Sequence, residues 1–221
     1  AIGRKLAKHV EAELALVEDE TVQERIRSLG QRLAAVCDRQ ELVYAFAVVQ
    51  ADEVNAFSLP GGYVFVHEGL VKVAATDDEL AAVLAHEIAH IVARHAMKRY
   101  ETSLAAQVAQ LASLAAGSPE AAAGMGVALQ ATRLAYARQD ELEADRLAVR
   151  YVKAAGFDTA AMLSMLERLR AEGREELHYL PRGVVRPQYA MTHPFIPERI
   201  RVVKEELYGV ADYMDYLNTP E

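Results

Sequence analysis

Residues 80–95 read LAAVLAHEIAHIVARH and follow Thr76-Asp77-Asp78-Glu79, a pattern that caps the start of a helix. Apolar residues recur through this stretch at three- and four-residue spacing, which predicts a helix running to about Tyr100. The helix contains H-E-x-x-H, from His86 to His90. Residues four apart on a helix lie one above the other, so both imidazoles can reach one zinc ion.

Glu87 lies about 100° around the same helix from His86, beside the metal rather than on it. In that place a carboxylate can accept a proton from a water molecule that attacks a substrate. The alternative is that both histidines are ordinary core or surface residues of an alanine-rich helix. The flanking sequence is apolar on both sides and buries the pair, and buried polar groups need partners, which favours a metal.

A third ligand is expected from another element, because zinc hydrolases hold the metal with three protein side chains and keep one position open. The candidate is Glu141-Leu142-Glu143-Ala144-Asp145. Glu141 and Asp145 share one helix face, so one can bind zinc while the other orients a ligand histidine. Glu143 points away from that face, and spacing alone leaves the choice between Glu141 and Glu143 open. The competing interpretation is an ordinary acidic first turn of a helix.

Composition limits the kind of site. The chain has 221 residues, a formal net charge of −8, 52% apolar residues and a single cysteine, Cys37. These values exclude a disordered chain and a disulfide scaffold, and the acidic balance argues against nucleic acid as a partner. Because one cysteine cannot build a thiolate cluster, a metal site must use His, Asp or Glu.

The texture of the sequence predicts one α+β domain over residues 1–221, mostly helical with a small three-stranded sheet beside the active-site helix. Strands are predicted over 43–49, 55–59 and 63–66, the last two flanking the turn Pro60-Gly61-Gly62. The predicted parts are N-terminal helices over 1–40, the sheet over 43–67, catalytic helices over 77–172, and an irregular segment with a last helix over 173–221. Within the third part, helices are expected over 140–155, with Gly156 as the stop, and over 159–172.

The most apolar stretches, Leu104–Ala116 and Ala121–Leu129, are separated by polar and turn residues. Each is too short to cross a membrane, which takes about 20 residues, so we expect an Ala-rich helical hairpin. The chain begins at Ala1, and a targeting or lipidated segment upstream is compatible with the sequence.

H-E-I-A-H followed about fifty residues later by E-L-E-A-D resembles the HtpX/CAAX-prenyl-endopeptidase family of gluzincin metallopeptidases. The chain is similar in particular to the soluble bacterial members related to the mitochondrial inner-membrane protease Oma. The resemblance extends from about Gly3 to Leu207. Further shared stretches are VNAFSLPGG over 54–62, Glu68-Gly69-Leu70, and Thr192-His193-Pro194 with Arg199.

This resemblance implies that Glu141 is the third ligand of one zinc ion and that Asp145 supports a ligand. It also implies that Asn55, Ala56 and Phe57 form an edge strand to which an extended substrate adds by main-chain hydrogen bonds. A plain hairpin strand would look the same without the zinc motif.

The resemblance further pairs a histidine with an arginine six residues later, here His193 and Arg199. They are expected either to stabilise the oxyanion or, for His193, to occupy the open zinc position and hold the enzyme inactive. A plain loop histidine before a proline is the alternative. The remaining histidines, His9, His67, His95 and His178, receive no role, and His95 is expected at the surface.

The predicted function is therefore a zinc-dependent endopeptidase that acts on unfolded or misfolded polypeptides in protein quality control. The alternatives are a catalytically silent or autoinhibited zinc-binding, chaperone-like module and a zinc hydrolase for non-peptide substrates. The resemblance implies a bacterial periplasmic location or attachment to the outer membrane as a lipoprotein, with peripheral membrane association through an upstream segment and a cytoplasmic location disfavoured.

Overall fold

The structure, a computed structural model, describes residues 2–104, 119–179 and 192–209. The helices are α1 (Ile2–Glu13), α2 (Glu20–Ala34), α3 (Glu68–Val73), α4 (Asp77–Val92), α5 (Pro119–Ala154), α6 (Ala161–Tyr179) and α7 (Ile196–Tyr208). The strands are β1 (Ala45–Val49), β2 (Ala56–Leu59) and β3 (Tyr63–His67). The predicted fold class, mostly helical with one three-stranded sheet, is confirmed. That one domain covers 1–221 stays a prediction.

The sheet has the order β1-β3-β2, so β2 lies at one edge. β1 runs parallel to β3, with Ala45 opposite Tyr63, and β2 runs antiparallel to β3, with Ala56 opposite Val66. The turn predicted at Pro60-Gly61-Gly62 joins β2 and β3, and both glycines have positive φ angles, 96° and 102°. Glycine adopts such angles without steric cost, which explains this turn composition.

Alternation along the strands divides the sheet into two apolar faces. Phe46, Val48, Val64 and Val66 face the main core, which α2 and α4 complete. Val49 and Phe65 point to the opposite face, where Ala7 of α1 covers them. The sheet is therefore sandwiched between helices, and α4 lies against it with its apolar residues buried almost all round.

Helices α5, α6 and α7 complete the main core around α4 through Tyr151 and Val152, Met165 and Leu166, and Ile200 and Val203. The start of α7 is held to α5 by a two-pronged ion pair, in which the Nε and Nη2 atoms of Arg138 lie 2.6 and 2.5 Å from the Glu198 carboxylate. This packing brings α5 and α7 to the buried histidines of α4.

The helix starting at Thr76 has the predicted cap, because the Thr76 hydroxyl accepts from the Glu79 main-chain N–H at 3.2 Å. The prediction that this helix continues to Tyr100 is wrong. It ends at Val92, and Arg94 adopts a left-handed conformation with φ 60° before residues 95–104 become helical again. A glycine would have indicated a left-handed residue at the end of the helix, but an arginine in that conformation cannot be recognised from the sequence.

The predicted stop at Gly156 is confirmed, since Gly156 has φ 75° and α5 ends at Ala154. However, α5 begins by Pro119, well before the predicted start at 140, and α6 extends to Tyr179 rather than 172. The first arm of the predicted hairpin falls largely on residues 105–118, outside the described residues, whereas its second arm, Ala121–Leu129, is helical as predicted and belongs to α5. Most of the irregular segment around 180–191 also lies outside the described residues. None of the helices described is long and apolar enough to span a membrane.

Candidate metal centre

Two helices contribute the central donors of the site. His86 and His90 come from α4, with their Nε2 atoms 3.0 Å apart, and Glu141 comes from α5. The Glu141 Oε2 atom lies 3.2 Å from His86 Nε2, and its Oε1 atom lies 3.5 Å from His90 Nε2. With His193, these residues form a buried cluster whose donor atoms all lie within 4.8 Å of one another.

The donors fit a zinc ion. Two imidazoles and one carboxylate are a ligand set of catalytic zinc sites. The buried Glu141 Oε1 atom has no hydrogen-bond partner among the residues that the structure describes, so a polar position is left for a cation. When bound, zinc would be held by His86 and His90 through Nε2 and by the Glu141 carboxylate, with His193 close enough to be a fourth ligand.

The pKa values of the buried groups at this site are shifted in both directions by burial and by their charged neighbours. Burial raises the pKa of Glu141, but His193, His86 and Arg199 outweigh burial and hold that pKa well below its usual range. Burial and the Arg199 charge lower the pKa of His86, yet Asp145 and Glu141 raise it on balance to about 9. Burial and the neighbouring His86 hold the pKa of His90 well below its usual range. Positive charge is therefore favoured at His86, beside the carboxylates of Asp145 and Glu141, and disfavoured at His90.

His86 is held from behind by a carboxylate. Its Nδ1 atom lies 2.9 Å from Asp145 Oδ1, and Arg199 donates to both Asp145 oxygens, from Nε and Nη2, at 2.8 Å each. Asp145 and Arg199 are at most 1% exposed. This is the carboxylate–histidine arrangement that orients zinc ligands. Arg199 thus contacts Asp145 directly and lies 3.5 Å from Glu141 Oε2 through Nη1.

His193 lies between the predicted base and the sheet edge. Its Nδ1 atom is 3.2 Å from Glu141 Oε2, and its Nε2 atom is 3.4 Å from both Glu87 Oε1 and the Ala56 carbonyl oxygen. Glu87 is 1% exposed, so a carboxylate is buried beside the donor cluster as the motif predicts.

His95 is not at the surface, and that expectation is wrong. It is 1% exposed, and its Nδ1 atom lies 2.7 Å from Nδ1 of His90. The left-handed turn at Arg94 changes the direction of the chain and brings His95 back against His90, which a continuous helix would not do. Sequence reasoning also missed Asp140 and Arg99, which lie behind His95. The available signals were spacings: His95 and Arg99 are four apart, and Asp140 and Glu143 are three apart.

The predicted substrate strand lies beside the cluster. The Asn55 carbonyl accepts from the His67 N–H at 3.0 Å, which makes Asn55, Phe57 and Leu59 the residues whose main chain pairs with β3. The main-chain groups of Ala56 and Ser58 therefore face the outer edge of β2. The Asn55 side-chain oxygen accepts from the Ala56 N–H at 3.0 Å and from Thr192 Oγ1 at 3.2 Å, and the Phe57 ring stacks on Phe65.

A cleft of about 480 Å³ runs along this edge and reaches the metal centre. It is lined on one side by Ser58–Gly61 and on the other by His90, Ile91 and Arg94. Gly3 of α1 also lines the cleft. The edge strand β2, a groove and a buried His/Glu cluster thus lie next to one another.

These features define a metallopeptidase of the H-E-x-x-H type. The family model for peptidase family M48 matches residues 20–207, and the chain belongs to this family. The predicted class of enzyme and zinc as its metal are confirmed at this level. Membership in the M48 family also implies polypeptide substrates.

Several curated proteins are similar to the chain. It is 31% identical over 209 residues to the beta-barrel assembly-enhancing protease of Escherichia coli (strain K12), covering 90% of this chain and 42% of that protein. The protein of the same name from Yersinia pestis is 30% identical, with 98% and 46% covered. The mitochondrial metalloendopeptidase OMA1 of Schizosaccharomyces pombe is 35% identical over 180 residues, with 80% and 50% covered. The chain thus spans half or less of the length of these relatives.

Proposed function

We propose that this domain is a zinc-dependent endopeptidase that cleaves extended segments of polypeptide. The observation that carries the proposal is the buried convergence of His86, His90 and Glu141 beside Glu87, directly next to the edge strand of the sheet. Either feature alone would permit other zinc hydrolases. Their juxtaposition favours a peptide substrate over a non-peptide one, because a strand edge recognises a main chain.

The roles we assign follow the contacts. His86, His90 and Glu141 hold the metal, and Asp145 with Arg199 fixes the His86 ring. Zinc, when bound, polarises the scissile carbonyl and makes water more acidic. Glu87 takes the proton of the attacking water and passes it to the leaving amine, because it is the carboxylate next to the donors that is not engaged as a ligand.

Substrate binding is assigned to the edge of β2. We infer that an extended peptide pairs with the Ala56 carbonyl and the main-chain groups of Ser58, while Asn55, which accepts from the Ala56 N–H, and Phe57 hold the strand through their contacts with Thr192 and Phe65. Main-chain pairing is largely indifferent to side chains, which suits substrates of varied sequence such as unfolded or misfolded proteins.

His193 supports a second candidate state. Its two ring nitrogens lie near Glu141, Glu87 and the Ala56 carbonyl, so in this conformation it stands where a substrate carbonyl would approach. This favours an inhibited resting form in which His193 must move before cleavage, over an oxyanion donor already in place. Arg199 is assigned to positioning, because its guanidinium is engaged by Asp145.

Within the M48 family, we place the chain with the Oma-like and barrel-assembly proteases, and we propose a protein quality-control role in the bacterial envelope. The relatives named beta-barrel assembly-enhancing proteases support this placement. Attachment to the outer membrane and peripheral membrane association remain part of the same proposal.

Replacement of Glu87 tests the proposal directly. We expect Glu87→Gln to keep zinc and fold but to lower kcat on unfolded casein about 10²–10⁴-fold, because the general base is removed. A chelator should abolish cleavage by the unmodified protein. Glu79→Gln is the matched control, since Glu79 is another buried glutamate of α4 outside the cluster, and it should retain cleavage.

Full activity of Glu87→Gln would contradict the assignment of the base. If the unmodified protein binds zinc yet cleaves no peptide, His193→Ala separates the remaining possibilities. Cleavage that appears in this variant supports the inhibited resting form, whereas a variant that also cleaves no peptide favours a zinc-binding module without peptidase activity.

A further inference from the structure

His95 contacts the outer side of a proposed metal ligand. The His90 Nε2 atom faces His86 and Glu141, and the other ring nitrogen, Nδ1, lies 2.7 Å from Nδ1 of His95. Both imidazoles are buried, with exposed fractions of 8% for His90 and 1% for His95. Because neither ring can turn to water, their two nitrogens must share one proton in a hydrogen bond.

Metal binding determines the direction of that hydrogen bond. A histidine that binds zinc through Nε2 is neutral and carries its proton on Nδ1. His90 must therefore donate from Nδ1, and His95 must accept at its own Nδ1. The proton of His95 then lies on Nε2, at the far end of the ring.

The far end of His95 meets two carboxylates. Its Nε2 atom lies 3.5 Å from Asp140 Oδ1 and 3.4 Å from Glu143 Oε2. Asp140 is in turn held by Arg99, whose Nε donates to Asp140 Oδ2 at 2.8 Å. When zinc binding makes Nε2 of His95 a hydrogen-bond donor, carboxylate oxygens are therefore close to it as acceptors.

We propose that His95 is a positioning residue that holds the His90 imidazole in its zinc-binding tautomer and orientation and connects it to Asp140 and Glu143. The proposal rests on the proposed function, since it takes His90 as a zinc ligand. It assigns His95 no contact with substrate. Hydrogen bonds that zinc-binding histidines donate fix the ring and make it a stronger ligand.

A buried histidine can also serve packing alone, and the two roles predict different results. A packing role depends on the shape of the ring and is indifferent to which nitrogen carries the proton. The positioning role requires an acceptor at the Nδ1 position of His95 and a measurable effect on zinc.

The first experiment measures zinc affinity by competition with a chelator in the full protein. We expect His95→Leu, which fills space without an acceptor, to bind zinc about 10- to 100-fold more weakly. His95→Asn keeps an oxygen near the Nδ1 position and should recover part of this loss. His67→Leu is the matched control, because His67 is also a buried histidine, at 6% exposed, outside the donor cluster, and it should leave zinc affinity unchanged.

The second experiment reads the tautomer by nitrogen NMR of labelled histidine in the zinc-loaded protein. We expect His95 to carry its proton on Nε2 and His90 on Nδ1. A His95 protonated on Nδ1 with bound zinc would overturn the proposal, as would a folded His95→Leu with the zinc affinity of the parent.

Failure of this proposal is distinguishable from failure of the proposed function. Glu141→Ala removes a proposed ligand and should abolish tight zinc binding whatever His95 does. If Glu141→Ala loses zinc and His95→Leu does not, the metal centre stands and the positioning role is refuted. If the unmodified protein binds no zinc, both are refuted.

Discussion

The two histidines of H-E-x-x-H leave the same helix but are supported differently. His86 meets a carboxylate directly, and that carboxylate is clamped by Arg199 in a fully buried ion pair. His90 meets a neutral imidazole, and the charges lie one residue farther out, where the side chains of Glu143 and Arg99 are 53% and 45% exposed. The support behind His86 is a buried ion pair, whereas the support behind His90 ends in charged side chains that are partly exposed to solvent.

This difference separates two demands on a metal centre. A buried ion pair is costly to break, because the remaining charge has no water to replace its partner. The Asp145–Arg199 pair behind His86 therefore contributes to the stability of the fold as well as to the position of a zinc ligand. Behind His90, the uncharged His95 ring contacts Glu143 and Asp140, and the outer groups Glu143 and Arg99 are accessible to water. Substitutions there should therefore destabilise the fold less.

Asp145→Asn should have the largest effect, because it removes the buried carboxylate that accepts from both Nε and Nη2 of Arg199. We expect a loss of about 3–5 kcal/mol in the free energy of unfolding of the metal-free protein. Zinc affinity should fall by up to about 100-fold, because His86 loses its charged acceptor. Urea unfolding and zinc competition measure the two effects separately.

A double-mutant cycle sharpens this result. Arg199→Met alone should also destabilise the protein, and the double variant should lose much less than the sum of the single losses, since both partners of the buried ion pair are then uncharged. Additive losses would show that Asp145 and Arg199 are not coupled and that His86 has no charged support of this kind.

Asp140→Asn should have an intermediate effect on the other support. We expect zinc affinity to fall by about tenfold or less, because Glu143 still accepts from His95 and an amide oxygen remains at residue 140. Since this support is partly exposed, raising the salt concentration should narrow the gap between variant and parent. The difference in zinc affinity between Asp145→Asn and the parent should hardly change with salt concentration. Equal salt responses of the two variants would contradict the difference in exposure between the two supports.

Glu79→Gln should have the smallest effect and none on zinc, because Glu79 anchors the opposite end of α4. Its carboxylate accepts from Arg168 Nε at 3.0 Å and from the Ser164 hydroxyl at 2.7 Å. Burial raises the pKa of Glu79, but Arg168 and the main-chain N–H of Ala75 outweigh burial and lower that pKa on balance. We expect a loss of about 1–2 kcal/mol in the free energy of unfolding at neutral pH.

The sign of the pH dependence follows from the lowered pKa. A carboxylate that is more acidic in the folded state stabilises the fold above its unfolded pKa, about 4.3, and this contribution is lost as the pH falls through the folded value. The difference between parent and Glu79→Gln should therefore be largest near neutral pH and shrink below about pH 4. A difference that is constant with pH would contradict the assigned ion pair.

The parts of the fold that could be predicted from sequence are those governed by local rules. The cap at Thr76, the turn before Gly62 and the stop at Gly156 each rest on a few adjacent residues. The sequence predicts helix over 121–129 and again from residue 140, but not that the two are one continuous helix, since alanine-rich sequence without a clear apolar stripe carries little periodic signal.

The site was predictable where one helix face sets the spacing, as for His86 and His90. Choosing Glu141 over Glu143 needed the family resemblance, because either spacing is compatible with a helix. The environment of His95 could not be predicted, since it depends on a left-handed Arg94 and on a contact with Asp140, far away in sequence.

The position of Arg199 on α7 has a kinetic consequence. The contact between His86 and Arg199 joins residues 113 positions apart, so it closes a very long loop of chain. Contacts of this kind form late in folding, because the entropy of the intervening chain must be lost first. A chain still growing on the ribosome, with the H-E-x-x-H helix already made but α7 not yet synthesised, lacks the arginine that pairs with Asp145, so the metal centre is completed only after α7 has been made.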